Sequence, residues 1–100
     1  MERDEITKHE VKVYRVISQN PEKWFSNQEI ADRLNGVSGR TIRLHTKRFV
    51  QLGLVDLAEV FPRHKYRWSA KADKRNYSYL SRLKQADEVF GNEIQIKNPN

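Results

Sequence analysis

Apolar residues near the start of the chain repeat at the spacing of an α-helix. The repeat predicts a first helix from about Asp4 to Gln19, and Pro21 disfavours its continuation because proline restricts the residue before it. Trp24 and Phe25 follow and are expected to pack into the core, since large aromatic side chains dominate burial in small domains. The apolar stripe of the first helix consists of Ile6, Val11, Val13, Tyr14, Val16 and Ile17.

A second helix is marked by its start and stop signals. Ser26 and Glu29 have the spacing of a capping box, in which the serine accepts from the amide three residues on and the glutamate accepts from the serine amide. The predicted helix runs from Asn27 to about Leu34. Asn35-Gly36 ends it because these residues tolerate positive φ.

A third helix follows almost immediately. Ser38 is a favourable N-cap for a helix from Gly39 to about Leu52, and Gly53 lies where a glycine commonly ends a helix. His45 lies between the apolar positions of this helix and is interpreted as a packed or capping histidine. Those apolar positions are Ile42, Phe49 and Leu52.

Two short runs rich in branched and aromatic residues predict a β-hairpin. The first strand spans 54–60, the turn 61–64 contains a proline that presets φ, and the return strand spans 65–69. Because side chains alternate along a strand, the return strand has two inward and two outward positions. Tyr66 and Trp68 are predicted to face inward, and Lys65 and Arg67 outward.

The last apolar repeat predicts a long helix from Ala72 to Phe90, ended by Gly91, and a loose polar tail over 92–100. The chain is thus expected to form a single domain over 1–91. The stripe of the last helix is longer than a small core needs, so we expect it to pair with a second copy in a homodimer. Packing against the first helix is the alternative. The stripe consists of Tyr77, Leu80, Leu83 and Phe90.

Charge is distributed unevenly along the 100 residues, whose net charge is +6. Residues 1–38 carry −1, residues 39–85 carry +9, and residues 86–100 carry −2. A basic central block between mildly acidic ends favours a polyanionic partner, of which DNA and RNA are the most common. No apolar run approaches the roughly 20 residues of a membrane helix, and the acidic start lacks a secretory pattern. A cytoplasmic, nucleoid-associated protein is therefore expected.

Candidate catalytic and metal-binding residues are few. The chain has no cysteine, which excludes disulfides, thiol catalysis and cysteine-bound zinc. The three histidines, His9, His45 and His64, include no pair at metal-ligand spacing. Phosphate-loop, dinucleotide-binding and nucleophile-elbow motifs are also absent. We therefore expect no enzymatic activity, no metal and no cofactor.

The segment FSNQEIADRLNGVSGRTIRLHTKRFVQLGLV resembles the winged helix-turn-helix of prokaryotic transcription regulators. The resemblance covers about Val13 to Ser69 and implies a mostly α fold with a small β-hairpin (α+β). Its parts would be a three-helix core, a two-stranded wing over 54–69 and a long C-terminal helix. In such regulators the helix resembling 39–52 is the recognition helix. Two positions depart from the pattern: Thr46 replaces a large aliphatic residue, and Leu44 a polar one.

The third helix presents cations on the side opposite its apolar face. At about 3.6 residues per turn, Arg40, Arg43 and Lys47 share one face, and the helix contains no acid. Arginine in a major groove can donate two parallel hydrogen bonds to guanine, and Thr41 or Leu44 can contact a thymine methyl. Phosphates would position the protein without specifying sequence. The predicted phosphate contacts are Lys47, Arg48, Ser38 and Gly39.

Basic side chains of the hairpin complete the predicted DNA surface. The resemblance implies that a wing reaches the minor groove or the backbone. Arg63, at the tip of the turn, is the candidate for a narrow minor groove, where the negative potential is enhanced. The four predicted hairpin contacts are Arg63, His64, Lys65 and Arg67.

The sequence leaves two alternatives to a sequence-specific regulator of double-stranded DNA. A non-specific architectural protein bound to DNA or RNA would show a similar basic surface, because phosphate contacts dominate affinity in both cases. A winged-helix module that binds a partner protein is the second alternative, although such modules usually have less basic recognition helices.

Overall fold

The computed structural model describes residues 5–97, which form five α-helices and one two-stranded antiparallel hairpin. The predicted α+β combination is therefore confirmed for this part of the chain. None of the helices in residues 5–97 combines the length and apolar composition needed to cross a membrane. In chain order the elements are α1 (Lys8–Ser18), α2 (Asn27–Asp32), α3 (Gly39–Gln51), β1 (Val55–Ala58), β2 (Lys65–Trp68), α4 (Ala72–Arg75), α5 (Tyr77–Phe90) and a 3₁₀ turn (Gly91–Glu93).

Helix α1 begins later than predicted. The expected start at Asp4 lies outside the described residues, but residues 5–7 are not helical and Thr7 is the N-cap. The Thr7 hydroxyl accepts a hydrogen bond from the Glu10 amide at 3.2 Å, which satisfies one of the free donors of the first turn. The helix buries one face in the core. That face consists of Val11, Val13, Tyr14, Val16 and Ile17.

The capping box of α2 is confirmed. The Ser26 amide donates to the Glu29 carboxylate at 2.9 Å, and the Glu29 amide donates to the Ser26 hydroxyl at 3.1 Å. Helix α2 ends at Asp32, two residues before the predicted end, although Leu34 is buried as expected. Gly36 then turns the chain with a φ of +75°, a conformation that side chains disfavour.

Helix α3 is capped as predicted, since the Ser38 hydroxyl accepts from the Thr41 amide at 3.1 Å. The helix ends at Gln51, and Gly53 follows with a φ of +82°. A side chain at Gly53 would also approach Arg75 to 3.1 Å, so both conformation and space favour glycine here. The buried face of α3 contains Ile42, Thr46 and Phe49, while Leu52 is only half-buried.

The hairpin is short and is fixed to the rest of the fold. Strands β1 and β2 pair in the register Val55 to Trp68 and Ala58 to Lys65. Phe25 forms an isolated bridge to Tyr66, with both backbone hydrogen bonds at 2.7 Å. Tyr66 and Phe25 are both buried, as predicted, so the segment before α2 and the hairpin share one side of the core.

The predicted long C-terminal helix is broken at Asn76. This residue has φ −155° and ψ 68°, which separates α4 from α5. Its side-chain oxygen accepts from the Tyr79 amide at 3.1 Å, and its side-chain nitrogen donates to the Leu52 carbonyl at 3.3 Å. The break therefore caps α5 and ties it to the end of α3. The prediction of one helix over 72–90 was wrong.

The predicted dimer stripe is largely used inside the chain. Leu83 is fully buried and Leu80 is 2% exposed in the same core as α1. Phe90 is partly buried against that core, and Tyr77 alone among the four is mostly exposed. Leu80 and Leu83 are thus unavailable for a contact with a second copy, because the amphipathic α1 needs them to cover its own apolar face.

Two residues of the predicted loose tail, Ile94 and Ile96, pack against the core, so residues 92–97 are held more closely than expected. Ile94 is buried, and the Lys97 amide donates to the Arg33 carbonyl at 2.8 Å. The Arg15 guanidinium organises the segment: its Nε donates to Asp87 at 2.9 Å, and its Nη1 donates to the carbonyl oxygen of Ile94 at 3.4 Å. Residues 98–100 of the predicted tail lie outside the described part.

Candidate nucleic-acid interface

The solvent face of α3 is cationic along its length. Arg40, Arg43 and Lys47 are exposed there, as the helical period predicts. Leu44 is also exposed, at 63%, and lies among these cations. Because α3 contains no acidic residue, the cations of this face have no negative neighbour on their own helix.

Buried side chains on the opposite side of α3 set the direction of this face. Ile42 and Phe49 are fully buried in the core. Thr46 is also fully buried, and its hydroxyl lies 2.8 Å from Asn27 Oδ1 and 3.2 Å from the Arg43 carbonyl oxygen. The smaller, polar residue therefore replaces the expected aliphatic contact with a hydrogen bond to the first residue of α2.

The N-terminus of α3 is exposed to solvent. The Ser38 side chain serves as the cap, and its hydroxyl also lies 3.0 Å from the Thr41 hydroxyl. Ser38 is thus engaged within the helix start, and the free donors are backbone amides. A Cβ added to Gly39 would meet no atom within 4 Å, so the space in front of this helix start is open. An anion can approach the amides there, where the helix dipole favours negative charge.

A cleft of about 290 Å³ joins α3 to the hairpin turn. It brings together four of the predicted contacts, which lie far apart in sequence. It also includes three residues of α2 that sequence reasoning did not single out. The predicted residues on its walls are Gly39, Arg43, Arg63 and His64, and the added ones are Asn27, Gln28 and Ala31.

The capping box is the feature of the sequence that could have pointed to the three α2 residues of the cleft. It places Asn27 and Gln28 in the first turn of α2, beside the start of α3. Both carry amide side chains that can donate and accept hydrogen bonds. Asn27 is held by Thr46, and Gln28 donates to Asp32 at 3.0 Å on its own helix. This helix can therefore contribute polar contacts beside the cationic face.

The two predicted contacts on β2 bind acids of their own chain. Lys65 Nζ lies 3.7 Å from the Glu29 carboxylate. The Ser26 amide, followed by Lys65 and Lys23, keeps the pKa of Glu29 below its usual range, so Glu29 stays negative. Lys65 is therefore less available to a phosphate than the exposed cations of α3.

Arg67 is also engaged on the hairpin. Its guanidinium lies 3.5 Å from Asp56 Oδ2 and 4.3 Å from the centre of the Trp24 ring. Arg75 shares the same carboxylate at 3.5 Å. The two predicted hairpin contacts that remain exposed are Arg63 and His64, both in the turn.

Arg48 is positioned by a buried tyrosine. Its guanidinium lies 5.7 Å from the centre of the Tyr79 ring. The Tyr79 hydroxyl donates to the Glu10 carboxylate, which links α5 to α1. Burial, together with the hydrogen bond to Glu10, raises the pKa of Tyr79, so the ring stays neutral beneath Arg48. Arg48 is thereby held on the C-terminal half of α3.

His45 packs on the inner side of α3, as predicted. Its ring stacks on Phe49 with centroids 6.5 Å apart, and its Nδ1 is buried without a hydrogen-bond partner among residues 5–97. Burial lowers the pKa of His45, and the neighbouring His9 and Arg48 lower it further. A neutral packing role follows. In the described part of the chain, no three side chains of histidine, aspartate or glutamate are grouped as a metal site requires.

Comparisons with protein-family models, with curated proteins and with solved structures give no match for this chain. Its function is therefore inferred from the geometry and charge of the face formed by α3 and the hairpin turn.

Proposed function

We propose that this chain is a sequence-specific double-stranded DNA-binding transcription regulator of the winged helix-turn-helix type. Helix α3 is the recognition helix, α2 supports it, and the hairpin is the wing. One observation carries the proposal: the acid-free face of α3 and the basic turn of the hairpin line the same cleft. A duplex offers two features that match them, a groove and its phosphate border.

The cationic face suits a major groove. A major groove is about 12 Å wide and admits one α-helix. In this arrangement Arg40 and Arg43 contact guanines near the start of α3, while Lys47 and Arg48 contact phosphates toward its end. The exposed N-terminal amides of α3, near Gly39, bind one further phosphate.

Leu44 favours base contact over phosphate contact alone. It is 63% exposed in the middle of a cationic face, where a purely electrostatic surface would gain from another polar side chain. An aliphatic side chain in a major groove can contact the methyl group of thymine, and Thr41 beside it can do the same. This observation supports sequence-specific binding over the non-specific architectural alternative.

The hairpin turn supplies the second contact region. Arg63 is exposed at the turn and suits a narrow minor groove or its phosphates. His64 lies beside it on the wall of the cleft. Lys65 and Arg67 are placed behind the turn and mainly hold the hairpin to Glu29, Asp56 and Trp24.

A homodimer remains part of the proposal, but its contact surface is smaller than the sequence predicted because Leu80 and Leu83 are buried within the chain. Tyr77 and Val89 on α5 are 71% and 76% exposed, and together with Phe90 they offer apolar area outside the core. A dimer would place two recognition helices about 34 Å apart on a palindromic site. We expect the protein to act in the cytoplasm, bound to the chromosome.

The proposal is tested by selecting duplexes from a random library on the purified 100-residue chain. The selected duplex is then compared with random duplex across a salt series. We expect at least about 10³-fold preference for the selected sequence. Equal, steeply salt-dependent binding of all duplexes would favour an architectural role, and no binding at low salt would favour a protein partner. Lys84→Ala, an exposed cation on α5, is the matched control for substitutions on α3.

A further inference from the structure

The tip of the hairpin is apolar and exposed to solvent. Phe61 is 95% exposed, the highest value among the exposed large hydrophobic side chains in residues 5–97. Val60 beside it is 47% exposed, and Pro62 is exposed as well. These three residues form what we call the apolar tip. An aromatic ring left in water contributes no burial free energy. Packing in the core therefore does not explain why a phenylalanine occupies this position.

Basic residues follow the apolar tip on the side of α3, whereas the exposed Glu59 precedes it. Arg63 and His64 follow it directly and line the cleft with Arg43. A partner that suits this tip therefore has negative charge at its border and an apolar interior into which one aromatic ring fits. Stacked base pairs between two phosphate backbones have that combination, and aromatic or aliphatic wedges are known to enter such stacks.

The base of the hairpin is rigid enough to direct a wedge. Phe25 and Tyr66 exchange two backbone hydrogen bonds, and Tyr66 is buried. Arg67 is fixed between Asp56 and Trp24 on the other side of β2. The apolar tip therefore projects from a strand pair whose position relative to the core is set by contacts on both faces.

We propose that Phe61 enters the DNA base stack from the minor groove and partly unstacks one base step. This inference rests on the proposed DNA-binding function and assigns a role to a residue outside the cationic face. Pyrimidine–purine steps unstack most easily, so TA steps are the preferred sites. Arg63 and His64 bind the flanking phosphates, and α3 occupies the adjacent major groove.

The test uses a 30-base-pair duplex that carries the selected sequence beside a TA step, with 2-aminopurine replacing the adenine of that step. Unstacking raises the fluorescence of this base wherever the wedge enters. Wild-type protein should raise the fluorescence. Phe61→Ala should abolish the rise and bind roughly 5- to 150-fold more weakly, which is one base–aromatic stack of about 1–3 kcal/mol expressed as a ratio. Its salt slope should not change, because phenylalanine carries no charge.

Two further variants sharpen the result. Phe61→Leu keeps an apolar wedge and should retain most of the fluorescence rise, whereas Pro21→Ala removes an exposed apolar side chain between α1 and α2 and should behave as wild type. If Phe61→Ala binds as tightly as wild type with the same fluorescence, the wedge is overturned and the DNA-binding function stands. If wild type binds no duplex at low salt, the proposed function itself fails.

Other partners of the apolar tip would give different experimental results. Binding to vesicles that contain phosphatidylserine, lost in Phe61→Ala while the 2-aminopurine signal stays flat, would assign the tip to a membrane surface. A concentration-dependent increase in mass, lost in the same variant, would assign it to a second copy of the chain. Either result overturns the wedge.

Discussion

The hydroxyl of Thr46 and the side-chain oxygen of Asn27 lie 2.8 Å apart and join α3 to α2. Thr46 is fully buried, and Asn27 is on the wall of the cleft that faces the proposed DNA. A core position of α3 thus fixes a side chain of α2 that lines the cleft. The cost of burying a hydroxyl is offset because the group has acceptors within reach.

Thr46→Val tests this contact. The substitution preserves shape and removes the hydroxyl, so we expect the free energy of unfolding to fall by about 1 kcal/mol. A double-mutant cycle with Asn27→Ala should show coupling of at least about 0.5 kcal/mol, measured by urea denaturation. Ser78→Ala, an exposed position on α5, serves as the control. Strict additivity of Thr46→Val and Asn27→Ala would show that the bond contributes nothing.

Arg43 and Lys47 are predicted to make different kinds of contact with DNA, Arg43 to bases and Lys47 to phosphates. Arg43→Ala should weaken binding to the selected duplex by about 1–3 kcal/mol and affect random duplex much less, since it removes a base contact. Lys47→Ala should weaken both duplexes similarly and reduce the salt slope by about 1. Fluorescence anisotropy at several salt concentrations measures both effects. Identical behaviour of the two variants on all sequences would rule out direct base recognition by Arg43.

The start of α2 offers a stability prediction that involves no ligand. Ser26→Ala removes one half of the capping box, and its hydroxyl is the acceptor for the Glu29 amide at 3.1 Å. We expect a loss of about 0.5–2 kcal/mol in unfolding free energy. Ser26→Asp retains a capping oxygen and should recover much of it. Equal losses in both variants would mean that packing of the buried serine, rather than capping, determines its effect.

His45 makes stability depend on pH. Burial lowers its pKa below the ordinary value of 6.5, so the unfolded chain takes up a proton at a pH where the native chain does not. The contribution of neutral His45 to the free energy of unfolding is therefore fully present above pH 6.5. It is lost as the pH falls from that value toward the native pKa. The surrounding charges act in the same direction, since His9 on α1 and Arg48 on α3 both disfavour the protonated ring.

The measurement is the melting temperature at pH 7.5 and at pH 5.5. Wild type should lose more on acidification than His45→Phe, which keeps a stacking ring without titration. His64→Gln, an exposed position in the turn, should retain the wild-type loss. An equal loss in wild type and His45→Phe would show that His45 does not titrate differently in the native state.

Leu83 is predicted to matter for folding and not for assembly. It is fully buried, so Leu83→Ala should lower the unfolding free energy by about 2–5 kcal/mol through lost burial and a residual cavity. Val89→Ala on the exposed side of α5 should change it by at most about 0.5 kcal/mol. Urea denaturation gives both values, and light scattering gives the mass. If Leu83→Ala changes the mass at concentrations where the variant remains folded, the prediction that the α5 stripe forms a dimer interface would stand again.

The parts of the fold that the sequence predicted are those that depend on close neighbours. Ser26 with Glu29, and Ser38 before α3, act over three residues, so their capping patterns are visible in the chain itself. The inward and outward faces of α3 follow from the helical period in the same way. These local rules also gave the exposed cations of the candidate site.

The rest depended on contacts between distant positions. Asn76 breaks the last helix because its side chain reaches the Leu52 carbonyl, 24 residues away. Arg15 holds the segment around Ile94 through hydrogen bonds that span most of the chain. The inclusion of Asn27 in the cleft requires knowing how α2 packs on α3. No periodic pattern carries such information, since each depends on the assembled core.

The most direct test of the central claim is to follow the backbone amide signals of ¹⁵N-labelled protein during titration with a 20-base-pair duplex. We expect the signals of residues 38–48 and of the hairpin turn around Arg63 to change, while those of α5 stay in place. Changes concentrated on α5, or no changes at low salt, would contradict the proposal that α3 and the hairpin form the DNA-binding face.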